Sequence, residues 1–483
     1  MNRDVDRLAL SRNDQDFIVE FLTLKVADEK EVKKSKKKYF DFYIKEEEIT
    51  EKGFGTQSFR KRILELYTRA KCEYKTIFTH PVFEYRYKGE TLVPSAGDDE
   101  RFLVGIVKLF QKKTILDTRN TSFNQIIFNN FGSSIEKAKE KQFFTPVAIV
   151  ESIIKMINPQ KNETICDPCS GICDFLAMAF RHIYQGELGS LPSADMFFGF
   201  DIDPKILKLA ELNLVLNGDG NAQIKIMDSI GQKLLEDGTY KDYEFDINNY
   251  FKESWQNKND SQKNVKQYDV IVTNPPFGKG RDLKTGKDGR WDIKKSTMKL
   301  YESWEVQGEP KSIDMGVLFL ENSYKLLLPG GRMAIILSNS IASIAEWTKV
   351  REWFISKMRI VSIFNLPANT FGETGVATTV IIAYKPKRNE QNILKENYEL
   401  FAREIENIGY TVKVKDRVIF MSPDYVINPD TFEREKDSKG NDLLLSDFPS
   451  LVNDFGEWIL NNENKYSEIY NAFHGNRYKK WEV

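Results

Sequence analysis

The chain has 483 residues, of which 41% are hydrophobic and 29% charged, values typical of a globular protein of about two to four domains. Its net charge is −1, which excludes a uniformly basic nucleic-acid-binding protein and limits contacts with nucleic acid to local patches. No stretch approaches the roughly 18 apolar residues of a membrane span, and the first residues are too charged for a signal peptide. We therefore expect a cytoplasmic protein with no membrane partner.

Three of the four cysteines, Cys166, Cys169 and Cys173, are close together in the sequence. Close thiols are the usual ligands of zinc and iron–sulfur sites. Because the fourth thiol, Cys72, is remote and no histidine lies among the other three, we expect no metal. Small residues that fill a tight strand-to-helix turn are the preferred interpretation.

The N-terminal third of the chain is predicted to be a mainly helical domain, residues 1–135. Apolar residues at helical spacing predict helices over 17–26, 59–67 and 101–110, and the segment 83–89 is typical of a strand and a turn.

The middle of the chain, residues 136–388, is predicted to be a doubly wound, Rossmann-like α/β domain. Short apolar runs alternate there with amphipathic helical stretches such as 204–217 and 314–328, a pattern typical of a sheet covered on both faces. Seven strands are predicted, over residues 163–168, 196–202, 223–227, 268–273, 332–337, 360–366 and 377–384. Ligands of such sheets bind at the carboxyl ends of the strands.

The remaining residues, 389–483, are predicted to form a small helical extension that binds a partner. The segment is polar, and its apolar residues from Leu445 to Ile459 have helical spacing. It is short for a domain that recognises a DNA sequence.

Three aspartates end predicted strands, where a nucleotide would bind. Asp167 begins a turn that contains Gly171, which would let a ligand approach the backbone next to a helix N-terminus. Asp201 ends the second strand, where an acid typically accepts hydrogen bonds from ribose hydroxyls. Ile202 could pack on a purine face, and Asp228 could accept from an exocyclic amine.

The fourth predicted strand runs into the sequence Asn274-Pro275-Pro276-Phe277. The two prolines stiffen the turn and leave its carbonyl groups free to accept hydrogen bonds. The Asn274 amide oxygen beside a fixed carbonyl can accept both hydrogens of an amino group, which favours a tetrahedral nitrogen with a lone pair ready to attack. Phe277 could stack on an extruded base. These four residues are the predicted catalytic centre.

This turn resembles the catalytic motif of amino-methyltransferases, in the form typical of adenine-N6 enzymes. A second segment is similar to the cofactor-binding segment of modification subunits from type I restriction–modification systems: Gln142, Phe143, Phe144, Thr145 and Pro146. Residues 366–371 (Leu-Pro-Ala-Asn-Thr-Phe) are similar to that family's loop beside the target base, and residues 408–410 also match. The resemblance covers roughly residues 100–420.

The resemblance implies a methyltransferase sheet that binds S-adenosylmethionine and methylates a flipped adenine at N6 in double-stranded DNA. It implies a separate sequence-specificity subunit and a possible restriction subunit as partners. From the charge pattern alone, the basic segments 30–38 and 279–299 are the two candidates for contacts with phosphates, and a solvated surface is the alternative for either. The cofactor-binding residues it implies, beyond the segment 142–146, are Asp167, Ser170, Gly171, Ile172, Asp201, Ile202 and Asp228.

One segment departs from the family pattern. Ile172-Cys173-Asp174 replaces further glycines, so side chains there could narrow the methionine site, and the acid could meet the cofactor's amino group. Two alternatives stay open: a protein glutamine-N5 methyltransferase, which can use the same Asn-Pro-Pro geometry, and a catalytically weak scaffold that holds DNA or subunits.

Overall fold

The computed structural model describes a large part of the chain. The described residues are 14–35, 39–75, 77–78, 83–88, 91–94, 100–115, 145–184, 196–217, 222–230, 267–282, 298, 301–368, 370–371, 375–395, 397–415, 418–437, 440–478 and 480–481. They fall into two compact units, Met1–Lys139 with Lys205–Gly220, and Glu140–Pro204 with Asn221–Val483. Residues 389–483 group with the second unit, and their separate role stays a prediction.

The helices and strands are numbered here in chain order over the described residues. The α-helices are α1 (Asp14–Ser35), α2 (Gln57–Glu73), α3 (Glu100–Phe110), α4 (Val147–Ile157), α5 (Asp174–Tyr184), α6 (Pro204–Leu216), α7 (Glu302–Val306), α8 (Met315–Leu326), α9 (Asn339–Ser343), α10 (Thr348–Ile355), α11 (Phe448–Asn461) and α12 (Ser467–Ala472). The strands are β1 (Phe83–Lys88), β2 (Thr91–Pro94), β3 (Ile165–Asp167), β4 (Phe197–Asp201), β5 (Gln223–Ile226), β6 (Tyr268–Thr273), β7 (Lys279–Asp282), β8 (Ser312–Asp314), β9 (Leu327–Ser338), β10 (Arg359–Leu366), β11 (Thr378–Tyr384), β12 (Phe401–Glu404), β13 (Tyr410–Lys415) and β14 (Val418–Pro423).

The first unit contains helices α1, α2 and α3, which overlap the three predicted helices. Strands β1 and β2 pair antiparallel, so the strand predicted at 83–89 is confirmed, while Gly89 lies outside the described residues. Helix α1 buries Lys25 and Glu29 together, with 3.1 Å between the ammonium nitrogen and a carboxylate oxygen. The Ile115 N–H also donates to Glu29, at 3.0 Å, so this buried carboxylate has both an ionic and a backbone partner.

The second unit is built on a mostly parallel sheet in the order β12-β10-β11-β9-β6-β3-β4-β5. Strand β11 is antiparallel to both of its neighbours, and the other neighbouring pairs are parallel. All seven predicted strands are present, but the sheet has eight, so the predicted count is wrong by one. The missed strand, β12, is a short edge strand with the sequence Phe-Ala-Arg-Glu, whose last three residues are exposed and give no apolar signal.

The C-terminal segment is less helical than predicted. It contributes β12 to the sheet, and β13 pairs with β14 in an antiparallel hairpin. Isolated bridges follow, including Tyr425 with Leu444, before α11 and α12. The predicted helical extension therefore contains the helices α11 and α12 but also three strands that were not predicted. Valines at alternate positions in Tyr410–Lys415 carry the period of a strand, and this signal lies in an otherwise polar segment.

The sheet brings the carboxyl ends of β3, β4, β5, β6 and β9 to one edge, because these strands run parallel. The central strand β6 is fully buried at Val270, Ile271 and Val272, a long apolar run typical of a parallel sheet. Asn274 follows β6 directly, so the core of the sheet fixes the position of the predicted catalytic turn, Asn274-Pro275-Pro276-Phe277. No helix in the described part of the chain is long and apolar enough to cross a membrane.

An ionic cluster lies at the opposite edge of the sheet, the one away from the carboxyl ends of the parallel strands. The Arg332 guanidinium contacts both carboxylate oxygens of Glu163 at 2.7 Å, and His474 lies 3.0 Å from the same group. Burial would raise the pKa of Glu163, but Arg332 and His474 together lower it to about 2. Residues far apart in the chain are thereby joined at this edge.

Candidate active site

The catalytic turn is linked to the segment Thr145-Pro146 by a side-chain hydrogen bond. Asn274 Nδ2 donates to Thr145 Oγ1 at 2.9 Å, across 129 positions of sequence. Thr145 is buried at 6% exposure, and Pro146 is buried where α4 begins. Gln142, Phe143 and Phe144 lie outside the described residues.

The amide oxygen of Asn274 has no hydrogen-bond donor among the described residues, although the atom is buried. A buried acceptor without a partner is uncommon, because its desolvation costs about 1–3 kcal/mol. Pro275 is buried, while Pro276 and Phe277 are half-buried. The turn therefore presents one unsatisfied acceptor, as an amino-group site requires.

The Gly171 turn is joined to the end of β4 through Asp201. The Gly171 N–H donates to Asp201 Oδ2 at 2.9 Å, and the Asp203 N–H donates to Oδ1 at 2.9 Å. Gly171 has φ +50°, and a Cβ at this position would meet nothing within 4 Å. The main chain of Ser170 also donates to the Phe200 carbonyl at 2.9 Å. Space beside the backbone and an acid at the next strand end are what a nucleotide-type ligand needs.

Two carboxyl groups at this edge, one buried (Asp167) and one half-buried (Asp201), have raised pKa values. Burial raises the pKa of Asp167 to about 7, and the charges of Asp201 and Asp174 add to the rise. Burial also raises the pKa of Asp201 to about 6, although the Asp203 and Gly171 N–H groups oppose it. Strongly perturbed carboxyl groups that cluster at one place are typical of functional sites.

Asp228 and Ile202 occupy the positions expected from the sequence. Asp228 is 2% exposed, and its Oδ1 accepts from the Ile230 N–H at 3.2 Å. The Met227 N–H donates to the Asp201 carbonyl at 2.8 Å, so the ends of β4 and β5 stay together. The side chain of Ile202 is half-buried.

An aromatic contact joins the Asn-Pro-Pro-Phe turn to the segment 366–371. The rings of Phe277 and Phe371 meet edge to face with centroids 5.4 Å apart, a favourable geometry for aromatic side chains. Phe371 itself is buried, and the Tyr410 hydroxyl donates to the neighbouring Thr370 carbonyl at 3.3 Å. Asn369 lies outside the described residues. The turn and both downstream segments are thus connected.

The segment Ile172-Cys173-Asp174, which departs from the family pattern, lies in the interior of the protein. Ile172, Cys173 and Asp174 are all buried, and Cys173 has φ +63°, a left-handed conformation that L-residues adopt at a cost. A Cβ on Gly199 would lie 3.1 Å from the Cys173 sulfur. The thiol therefore packs against β4. Cys173 itself adopts a backbone conformation that is usual for glycine.

The three clustered cysteines form no metal-binding group within the described residues. Burial raises the pKa of the Cys169 and Cys173 thiols well above the usual range, and nearby aspartates raise it further. The pKa values of these thiols therefore favour the neutral form near pH 7 in the metal-free chain. Among the described residues, Asp28, Glu31 and Asp41 form one acidic group, but Arg69 already bridges Glu31 and Asp41.

A mostly parallel α/β sheet with an Asn-Pro-Pro-Phe turn at its carboxyl edge is typical of the amino-group methyltransferases. The chain belongs to the N-6 DNA methylase family, whose model matches residues 124–469, most of its length.

The chain is similar to methylase subunits of type I restriction enzymes. It is 24% identical to the StySPI subunit of Salmonella potsdam over 260 residues, which are 52% of this chain and 41% of that protein. It is 23% identical to the HindI subunit of Haemophilus influenzae over 327 residues, 65% and 61% of the two chains. The chain thus spans less than half the length of the first of these relatives.

The fold is similar to that of a type I restriction–modification methyltransferase subunit from Streptococcus thermophilus. The two structures have a TM-score of 0.50 and 16% sequence identity, and the match covers 80% of this chain and 83% of the other. This likeness supports the α/β fold.

Proposed function

We propose that this chain is the modification subunit of a type I-like restriction–modification or related defence system, and that it methylates adenine N6 in double-stranded DNA. The observation that supports this most directly is the buried amide oxygen of Asn274, which has no donor among the described residues. It lies at the carboxyl end of a central strand, in a chain of the N-6 DNA methylase family.

The residues at the edge of the sheet fit S-adenosylmethionine, which supplies an electrophilic methyl group on its sulfonium when bound. Asp201, ionised above about pH 6, would accept from ribose hydroxyls. Asp228 would accept from the purine amine, and Ile202 would cover the purine face. Asp167, Ser170, Gly171 and Ile172 would border the methionine part, and residues 142–146 would cover it as the family resemblance implies.

The catalytic turn would prepare the adenine nitrogen for attack. Phe277 would stack on the flipped base, while Asn274 Oδ1 and a carbonyl of the two-proline turn would accept the two N6 hydrogens. These two acceptors would hold the nitrogen lone pair toward the methyl group of bound S-adenosylmethionine, whose sulfur would remain as a thioether, and one N6 proton would leave to solvent. No side-chain base is needed, so orientation and proximity carry the rate.

The other parts of the chain would serve DNA and partner subunits. We propose that residues 136–388 form the doubly wound catalytic domain, that 1–135 form an N-terminal domain, and that 389–483 bind partner subunits. A specificity subunit would read the DNA sequence, and a restriction subunit is the further partner that the family resemblance implies. Of the basic segments 30–38 and 279–299, residues 36–38, 283–297 and 299 lie outside the described residues.

Two variants test the assignment in cells that carry the chain with its neighbouring subunit genes. Asn274→Ala is expected to abolish N6-methyladenine in sequenced genomic DNA, while the purified variant keeps its affinity for S-adenosylmethionine within about twofold. Asp201→Ala is expected to weaken cofactor binding about tenfold or more, because a carboxylate hydrogen bond contributes about 1.5–3 kcal/mol. Wild-type methylation in Asn274→Ala would refute the mechanism, and unchanged cofactor affinity in Asp201→Ala would refute the ribose role. A wild-type chain that binds no cofactor would favour the scaffold.

A further inference from the structure

The hydrogen bond between Thr145 and Asn274 restrains the rotation of the Asn274 amide group. The terminal torsion of an asparagine side chain is broad and roughly two-fold, so strand β6 fixes the position of the Asn274 Cα but leaves the amide plane free to turn. An amide that turns by half a rotation would present its NH2 group, which cannot accept hydrogens from a substrate amine.

The structure contains a single side-chain hydrogen bond to this amide among the described residues. Asn274 Nδ2 donates to Thr145 Oγ1 at 2.9 Å, and Oδ1 is left without a donor. Thr145 is 6% exposed, so water competes little for its hydroxyl. By accepting from Nδ2, the hydroxyl also polarises the amide and makes Oδ1 a stronger acceptor.

We propose that Thr145 is a positioning residue, whose hydroxyl holds the Asn274 amide with its oxygen turned toward the substrate amine. This inference rests on the proposed function of Asn274. It gives Thr145 a role distinct from cofactor contact, the role implied by the family resemblance. A segment that covers the cofactor would then also set the geometry of the catalytic amide.

The kinetic test compares three single variants. Thr145→Val removes the hydroxyl at nearly constant shape, and Thr145→Ser keeps it. Thr164→Val is the matched control, because Thr164 Oγ1 donates to Asp269 Oδ2 at 2.7 Å and so joins the other ends of β3 and β6. It removes a hydroxyl whose hydrogen bonds with Asp269 lie at the ends of β3 and β6 that are remote from Asn274.

The expected result is a fall in kcat for Thr145→Val of roughly three- to tenfold, the rate equivalent of one neutral hydrogen bond. The cofactor dissociation constant should change by less than about twofold. Thr145→Ser should restore most of the rate, and Thr164→Val should lower the melting temperature without lowering kcat. An unchanged kcat for Thr145→Val would overturn the proposal, as would a loss confined to cofactor affinity or an equal loss of rate in the control.

A second readout needs no turnover, so it separates this inference from the proposed function. In deuterated protein labelled with 15N-asparagine, the Asn274 side-chain NH2 signals are assigned by their disappearance in Asn274→Ala. Thr145→Val should shift these signals, whereas Thr145→Ser and Thr164→Val should leave them near their wild-type positions. Unshifted signals in Thr145→Val would overturn the hydrogen bond itself. Shifted signals in a chain that methylates nothing would refute the proposed function alone.

Discussion

The buried carboxyl group of Asp167 should make the free protein less stable as the pH rises. Asp167 is 1% exposed at the end of β3, and burial raises its pKa from 3.8 to about 7. Its Oδ1 accepts from the Cys169 N–H at 3.0 Å, a bond that an asparagine oxygen can also accept. Asp167→Asn therefore removes the charge and can keep this hydrogen bond.

The direction of the effect follows from the two pKa values. The folded state holds the Asp167 proton more tightly than the unfolded state, so stability is fully present below about pH 4 and is lost as pH rises through about 7. A shift of about three pH units corresponds to about 4 kcal/mol. Asp167→Asn should thus raise the free energy of unfolding by up to about 4 kcal/mol at pH 8 and by little near pH 4.

Thermal unfolding of the cofactor-free protein between pH 4 and 8 measures this difference. The melting temperature of Asp167→Asn should exceed that of the wild type by several degrees at pH 8, with the gap closing at low pH. Equal melting temperatures of wild type and Asp167→Asn across the range would refute the reasoning. The variant should also bind the cofactor more weakly, since stability gained at a functional site commonly lowers function.

Three further substitutions test other parts of the second unit. Phe371→Leu removes the edge-to-face contact with Phe277. Because an aromatic pair contributes about 0.5–1.5 kcal/mol, kcat should fall about two- to tenfold. The rate is measured against wild type with saturating cofactor. Gly199→Ala places a Cβ 3.1 Å from the Cys173 sulfur, so it should lower the free energy of unfolding by about 1–3 kcal/mol. In chemical denaturation, adding Cys173→Gly should recover part of this loss. Strictly additive effects of the two substitutions would contradict the contact. Arg332→Met leaves a buried carboxylate without its main partner, and denaturation should show a loss of about 3–5 kcal/mol.

The sequence is most informative where one physical signal dominates. Strand β6 is a continuous apolar run that ends in Asn274 and two prolines, so both the strand and the place of the turn could be predicted. The same reasoning fails for β12, an exposed edge strand of four residues. It also fails for the hairpin of β13 and β14, because the alternating valines of β13 and the short apolar run of β14 lie in an otherwise polar segment.

Contacts between distant segments could not be predicted from local pattern. Rules for parallel sheets place Asn274 and the aspartates at one edge, but they do not pair Asn274 with Thr145, 129 positions earlier. The left-handed conformation of Cys173 is also hidden, because a cysteine does not indicate positive φ as a glycine does. The only sequence signal for this conformation is the departure from the family's glycine pattern at residues 172–174.

The two edges of the sheet differ in how well their polar groups are satisfied. At one edge, Arg332 neutralises Glu163, and His474 forms a hydrogen bond with it. At the other, Asp167 is buried and Asp201 half-buried, both with raised pKa values, and the Asn274 oxygen has no donor among the described residues. Each of these features costs stability, and a fold with no ligand to bind would gain by removing them. Under the proposed function, a cofactor and a substrate amine would supply the missing partners at the carboxyl edge.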